Sequence, residues 1–142
     1  MKTIYKTTSI AKGGRSGSVK SKNGPIDLPL SVPKAMGGDG GDGTNPEQLF
    51  GSAYAACFGG AVALVASNHK IEVGDVQVSA HISIGKTEEG DLQLEAVLDT
   101  YMSKLNDVEK GEKIINEAHE ICPFSRATRD NIDVTLNLML DE

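Results

Sequence analysis

Residues 45–66, NPEQLFGSAYAACFGGAVALVA, carry no charge after Glu47 and hold one of the chain's two cysteines, Cys57, near their middle. Asn45 is a good helix N-cap, Pro46 suits the first helical position, and Gln48 completes a capping box. A run this rich in Ala, Gly, Val and Leu predicts one long helix at the centre of a core. The uncharged part approaches membrane-spanning length, but its Gly, Ser, Gln, Asn and Tyr lower its hydrophobicity below that of a lipid-facing span. A core helix is therefore expected, with no membrane.

Outward from the helix, the periodicity changes to two. Downstream, Val76, Val78, Ala80, Ile82 and Ile84 alternate with Gln77, Ser79, His81 and Ser83, and after the turn KTEEGD the sequence Leu92, Leu94, Ala96, Leu98 repeats the alternation. This pair predicts a hairpin. Val108, Ile114, Ile115, Ala118, Ile121 and Cys122 then form one helical stripe with Cys122 at its last turn, and Pro123 starts a further helical turn to Thr128. Ile132, Val134, Leu136, Leu138 and Leu140 predict a final strand.

Upstream, residues 3–11 and 18–22 read as strands around GGRSG, Asn23-Gly24 is a strong hairpin signal, and 25–30 makes a proline-limited edge strand. Residues 31–44, with VPKAMGGDGGDG, read as a flexible connector, and 37–43 as a loop that opens during a working cycle. They contain no GK[ST] for a phosphate loop and lack the carboxylate spacing of an EF-hand. Hairpins outnumber βαβ units, so the expectation is an α+β fold, mostly antiparallel sheet packed around a long central helix. Residues 1–142 read as one domain.

The formal net charge is −6, which disfavours nucleic acid as a partner. The N-terminal segment MKTIYKTTSIAKGG has no continuous apolar stretch of the signal-peptide kind, so a cytoplasmic location is expected. In a reducing compartment two cysteines that pair do so transiently.

Cys57 in an apolar helix would by itself have a raised pKa and be inert; a positive partner would reverse that. Arg15, flanked by glycines in GGRSG, is the best candidate for such a partner, and Glu47 is a carboxylate placed to hold a buried guanidinium. Taken singly, Glu47 also suits the helix dipole, Arg15 a solvated turn, and Cys57 plain packing. Ten residues of straight helix separate Glu47 from Cys57 by about 15 Å, so they cannot touch directly. His119, Cys122 and Cys57 permit a zinc reading, which the spacing disfavours. No metal or cofactor is expected, and His69 and His81 read as solvated.

Three segments, GGRSG at 13–17, NPEQLFGSAYAACF at 45–58 and CPFSRATRDNI at 122–132, together resemble the Ohr subgroup of the OsmC/Ohr family, the organic hydroperoxide resistance proteins. The likeness covers essentially the whole chain. It departs at Gly51-Ser52, where other small residues are expected, and at Asp130, which stands where the family often has Gly and adds a negative charge near Cys122.

The resemblance implies a thiol peroxidase and an intertwined homodimer with active sites at the subunit interface. Cys57 is then the peroxidatic residue and Cys122 the resolving one, joined in a disulfide that an external dithiol recycles. Arg15 is implied to lower the Cys57 pKa and polarise the peroxide, with Glu47 holding it. The implied partners are an organic hydroperoxide, received by an apolar mouth of Phe50, Phe58 and Met36, and dihydrolipoyl groups as reductant. The alternative is a peroxide-sensing or small-molecule-binding protein on the same fold, without sustained turnover.

Overall fold

The computed structural model describes residues 1–142. Its elements are β1 (Ser9–Lys12), β2 (Ser18–Ser21), β3 (Asp27–Pro29), α1 (Pro46–Asn68), β4 (Val76–Lys86), β5 (Leu92–Met102), α2 (Val108–Ile121), α3 (Pro123–Thr128) and β6 (Val134–Met139). Short 3-10 turns lie at Gly14–Ser16 and Lys34–Met36. The fold is α+β, with two three-stranded sheets and one long helix, as the periodicities predict. It divides into two compact units, Met1–Leu49 and Phe50–Glu142.

In the first unit β1, β2 and β3 form an antiparallel meander, with Ser9 opposite Ser21 and Lys20 opposite Asp27. The first strand is shorter than the expected 3–11. The β2 chain reaches the turn at Asn23-Gly24 soon after Ser21, so the pairing ends with the Thr8 carbonyl accepting from Lys22 N–H, and residues before Thr8 have no ladder to join. Residues 31–44 leave and return to one point: Ser31 N–H donates to the Thr44 carbonyl and Thr44 N–H to the Pro29 carbonyl, both at 2.9 Å. Leu30 and Thr44 form a parallel bridge, so the expected loose connector is a loop pinned at its base. Leu30 is the one buried hydrophobic residue of this unit. Ile10, Ile26, Leu28 and Met36 keep 37–41% of their surface exposed.

The start of α1 shows why the helix begins where it does. Asn45 Oδ1 accepts the Gln48 N–H at 2.8 Å, the N-cap bond expected of it. The expected reciprocal bond of a capping box is replaced: Gln48 Oε1 accepts from the Thr44 hydroxyl at 2.8 Å.

The second unit is a sheet in the order β4-β5-β6 with helices on its apolar face. The β4–β5 hairpin pairs over eleven residues, from Val76 opposite Met102 to Lys86 opposite Leu92. β6 pairs with β5 in parallel, since α2 and α3 carry the chain back across before it returns. Ala96, Leu98, Thr100 and Met102 of β5 point inward and are essentially excluded from solvent. Tyr54, Phe58, Val62 and Val65 of α1 and Ile114, Ile115 and Ala118 of α2 complete the core. Each large apolar side chain buried this way contributes roughly 1.5–3 kcal/mol.

α1 is long and apolar enough to cross a membrane by length and composition. Its buried residues Tyr54, Phe58, Val62 and Val65 are committed to this core instead. Gly51 lets the helix lie close on the hairpin, since a Cβ there would sit 3.1 Å from Ile82 Cγ1. The α2 stripe is correct in angle but not at its ends. Val108 and Ile121, the first and last helical residues, remain 45% and 44% exposed.

Candidate active site

Two pairs of the expected residues are brought together, one in each unit. In the first unit the Arg15 guanidinium grips the Glu47 carboxylate with two parallel bonds, Nη1 to Oε2 at 2.9 Å and Nη2 to Oε1 at 2.7 Å. Gly13 and Gly14 adopt φ of 74° and 56°, which side-chain-bearing residues resist, and a Cβ on Gly17 would lie 1.7 Å from the Lys12 carbonyl oxygen. Only glycines allow this turn, and the turn presents Arg15. The hydrogen bond from Arg15 holds the Glu47 carboxyl below its ordinary pKa, while Glu47 raises that of Arg15. The bidentate fork is the geometry that arginine supplies and lysine does not.

In the second unit Cys57 Sγ and Cys122 Sγ stand 3.7 Å apart, both as free thiols. Cys57 is partly accessible from α1, whereas Cys122 is fully buried. A disulfide requires about 2.05 Å, so closing the bond takes a movement of about 1.7 Å. Cys122 is not in the last turn of α2, where the stripe places it, but just beyond, with φ −62° and ψ 124°. Pro123 dictates this, because a residue before proline is pushed out of the helical region. The proline thus sets Cys122 between α2 and α3, the C-cap of one and the N-cap of the other.

Burial pushes the Cys57 thiol pKa up, and the neighbouring Cys122 adds to the rise. The backbone N–H of Phe124, at the start of α3, opposes both. A thiol so placed needs a further positive influence to be a thiolate at neutral pH.

The aromatic surroundings differ from expectation. Phe58 is fully buried in the core and cannot line a mouth. It lies four residues after Tyr54 and four before Val62, on the helix face turned to the sheet. Phe124 joins the expected set instead. It sits 6.4 Å from Phe50 and 5.9 Å from Tyr54, ring centre to ring centre, and both it and Phe50 are only partly buried. Its position directly after Cys122-Pro123 is the signal the sequence carries for it.

The histidines are engaged. His69 and His81 are exposed, as expected, and each meets a surface carboxylate: His69 Nε2 lies 2.6 Å from Glu117 Oε2 and His81 Nε2 lies 3.1 Å from Asp99 Oδ2. His119 Nδ1 is 2.8 Å from Ser125 Oγ, and desolvation lowers the imidazole pKa, with Arg129 adding to the effect and Glu120 opposing it. No three His, Cys, Asp or Glu side chains are grouped to hold a metal ion.

Fold and paired thiols together define a cysteine-bearing protein of the OsmC-like kind. The family described as OsmC-like protein matches residues 38–137. The organic hydroperoxide resistance protein of Xanthomonas axonopodis pv. citri is 41% identical over 138 residues, covering 96% of each chain. OhrB of Bacillus subtilis, also so named, is 43% identical over 136 residues, covering 95% of this chain and 98% of its own. The crystal structure of an organic hydroperoxide resistance protein from Legionella pneumophila superposes with a TM-score of 0.91 at 40% identity, over 98% of this chain and 100% of that one. The chain belongs to the OsmC/Ohr family, within its organic hydroperoxide resistance subgroup.

Proposed function

We propose that this protein acts in organic hydroperoxide resistance as a cysteine-based peroxidase. Relatives named organic hydroperoxide resistance proteins support the role. The observation that carries the mechanism is the unequal burial of two sulfurs 3.7 Å apart. A peroxide can reach Cys57 and not Cys122, and the product at Cys57 has a second thiol in reach.

The Cys57 thiolate attacks one peroxide oxygen, the O–O bond breaks, and the alkoxide leaves and takes a proton to become the alcohol. The sulfur is left as a sulfenic acid, oxidised by two electrons. Cys122 then attacks that sulfur, an S–S bond forms and the sulfenic oxygen departs as water. An external dithiol, here assigned to dihydrolipoyl groups, reduces the disulfide by exchange and becomes a disulfide itself.

Arg15 is assigned to lowering the Cys57 pKa and polarising the peroxide, with Glu47 fixing the guanidinium. The chemistry demands such a cation, because burial alone disfavours the thiolate. Phe50 and Phe124 are assigned to receiving the organic group, whose burial favours alkyl and fatty acyl hydroperoxides over hydrogen peroxide.

A homodimer belongs to the same reading. The first unit leaves Ile10, Ile26, Leu28 and Met36 partly exposed around a single buried leucine, and Leu64 of α1 is 53% exposed. A second copy is the proposed cover. Sedimentation at micromolar concentration should give a dimer, and a monomer would contradict it.

The deciding test is turnover of tert-butyl hydroperoxide with a dithiol. Cys57→Ser should abolish it, and survival of turnover would sink the mechanism. Cys122→Ser should consume one equivalent of peroxide and then overoxidise.

A further inference from the structure

The crossover that carries Cys122 is tied to α1 by a buried line of hydroxyls that the peroxidase steps above do not use. Tyr54 Oη lies 3.0 Å from Ser125 Oγ and 3.2 Å from Thr128 Oγ1, and Ser125 Oγ lies 2.8 Å from His119 Nδ1. Tyr54 and Ser125 are fully buried and Thr128 nearly so.

The direction of every bond in this line can be read from its far end. Thr128 Oγ1 is within 3.0 Å of the Phe124 carbonyl and 3.1 Å of the Ser125 carbonyl, and a carbonyl only accepts. The single Thr128 hydroxyl proton is therefore committed there. Tyr54 must donate to Thr128, so its oxygen accepts from the Ser125 hydroxyl. Ser125 in turn has only its lone pairs left for His119. Its partner must be an N–H, which fixes the proton on Nδ1 of the imidazole. Apart from the Thr128 proton, shared between two carbonyls, each donor is used once, and each buried hydroxyl oxygen is satisfied.

The line joins three elements around the thiols. His119 is three residues before Cys122 near the end of α2, Ser125 is three residues after it in α3, and Tyr54 is one helical turn before Cys57 on α1. Cys122 itself makes no side-chain bond except to Cys57. Pro123 breaks the helix there; the Cys122 N–H still donates to the Ala118 carbonyl and its carbonyl accepts from the Arg126 N–H, and the hydroxyl line adds a side-chain tie between α2, α3 and α1.

We propose that Tyr54, Ser125 and His119 are positioning residues for the resolving step, a hydrogen-bonded clamp that holds Cys122 within reach of Cys57. The inference rests on the peroxidase reading and adds to it the determinant of how fast the disulfide closes. None of the three makes a hydrogen bond to either sulfur. They act through the backbone that carries Cys122, and breaking the line lowers the effective concentration of one thiol at the other.

The experiment compares full-length wild type with Ser125→Ala, Tyr54→Phe, His119→Leu and His119→Asn. Asn keeps an N–H near the Nδ1 position, and Leu does not. Each protein, checked for folding by circular dichroism, is given one equivalent of tert-butyl hydroperoxide. Mass spectrometry follows sulfenic acid, disulfide and sulfinic acid at Cys57.

In Ser125→Ala, Tyr54→Phe and His119→Leu, disulfide closure should slow at least tenfold while sulfenic acid formation changes less than threefold, with sulfinic acid accumulating. His119→Asn should recover most of the closure rate. The thiol–disulfide equilibrium should weaken in parallel, a tenfold loss corresponding to about 30 mV in potential. Closure at the wild-type rate in the variants overturns the clamp, as does an equal loss in both steps, which would mark a merely structural role. Should Ser125→Ala not fold, Tyr54→Phe, which keeps the ring and its packing, carries the comparison. Failure of the wild type to form any disulfide would instead overturn the peroxidase reading on which the clamp rests.

Discussion

Both carboxylate oxygens of Glu47 accept from Arg15, at 2.7 and 2.9 Å, across 32 residues of sequence. The Glu47 carboxyl is held below its ordinary range by this partner, so the group is depressed in the folded state relative to the unfolded one. A depressed carboxylate stabilises the fold above the unfolded pKa, and that contribution is lost as pH falls through the folded one. Thermal stability of Glu47→Gln, measured between pH 7 and pH 3, should fall less steeply with acid than that of the wild type. Parallel curves would show that the pair adds nothing to acid sensitivity.

Removing the cation tests its proposed partnership with the thiol. On the proposed partnership, Arg15→Ala should move the pH profile of Cys57 alkylation by iodoacetamide to higher pH; burial and Cys122 already raise the thiol pKa, and the Phe124 amide opposes them. A profile displaced upward by about one pH unit means a thiolate fraction near neutrality about tenfold lower. Peroxide consumption should fall by at least that factor. An unchanged profile would detach Arg15 from Cys57.

Thr100 is fully buried on the inner face of β5, and its Oγ1 has no hydrogen-bond partner. A buried hydroxyl left unsatisfied costs about 1–3 kcal/mol. Thr100→Val keeps the branched shape and removes the hydroxyl, so it should stabilise the protein by about 1 kcal/mol in denaturant unfolding. Destabilisation would show that the hydroxyl has a partner in solution.

Asp130 sits at φ 59°, in the left-handed region where glycine carries no steric penalty. This supplies a physical reason for the glycine that the family resemblance leads one to expect there. Asp130→Gly should be neutral or stabilising by up to about 1 kcal/mol, the strain relieved being partly offset by a freer unfolded chain. Asp130→Val should be clearly destabilising, and tolerance of valine would count against strain at this turn.

The strands after residue 70 are legible in the sequence because each is long and holds one period, and the helix at 45–66 is legible from its N-cap and its uninterrupted uncharged run. Asn45 marks the start of α1 without ambiguity, and the alternation in 76–84 and 92–98 marks the hairpin and its inner face. What escapes depends on distance along the chain. Tyr54 and Ser125 are 71 residues apart and neither has a spacing that announces the other. Phe50 and Phe58 look equivalent on the helix, yet their eight-residue offset turns one toward Phe124 and the other to the core. Likewise Ile121 continues a correct stripe, yet it faces solvent at the helix end while Cys122 beside it is buried. The Arg15–Glu47 and Cys57–Cys122 pairs are legible only through the three motifs taken together, since single residues such as Glu47 have ordinary uses.

The position of Cys122 beyond the broken end of α2 also bears on heat and denaturant. Cys57 and Cys122 are 65 residues apart, so the proposed disulfide closes a long loop in the unfolded chain. A loop of that length restricts the unfolded ensemble by about 4 kcal/mol in the chain-entropy picture. The oxidised protein should then be the harder one to melt, and under the proposed mechanism each return of the thiols by a reductant would loosen the fold as well as rearm it. The proposed catalytic cycle would in that sense also be a cycle of stiffening and release, legible in the melting curves of the oxidised and reduced forms.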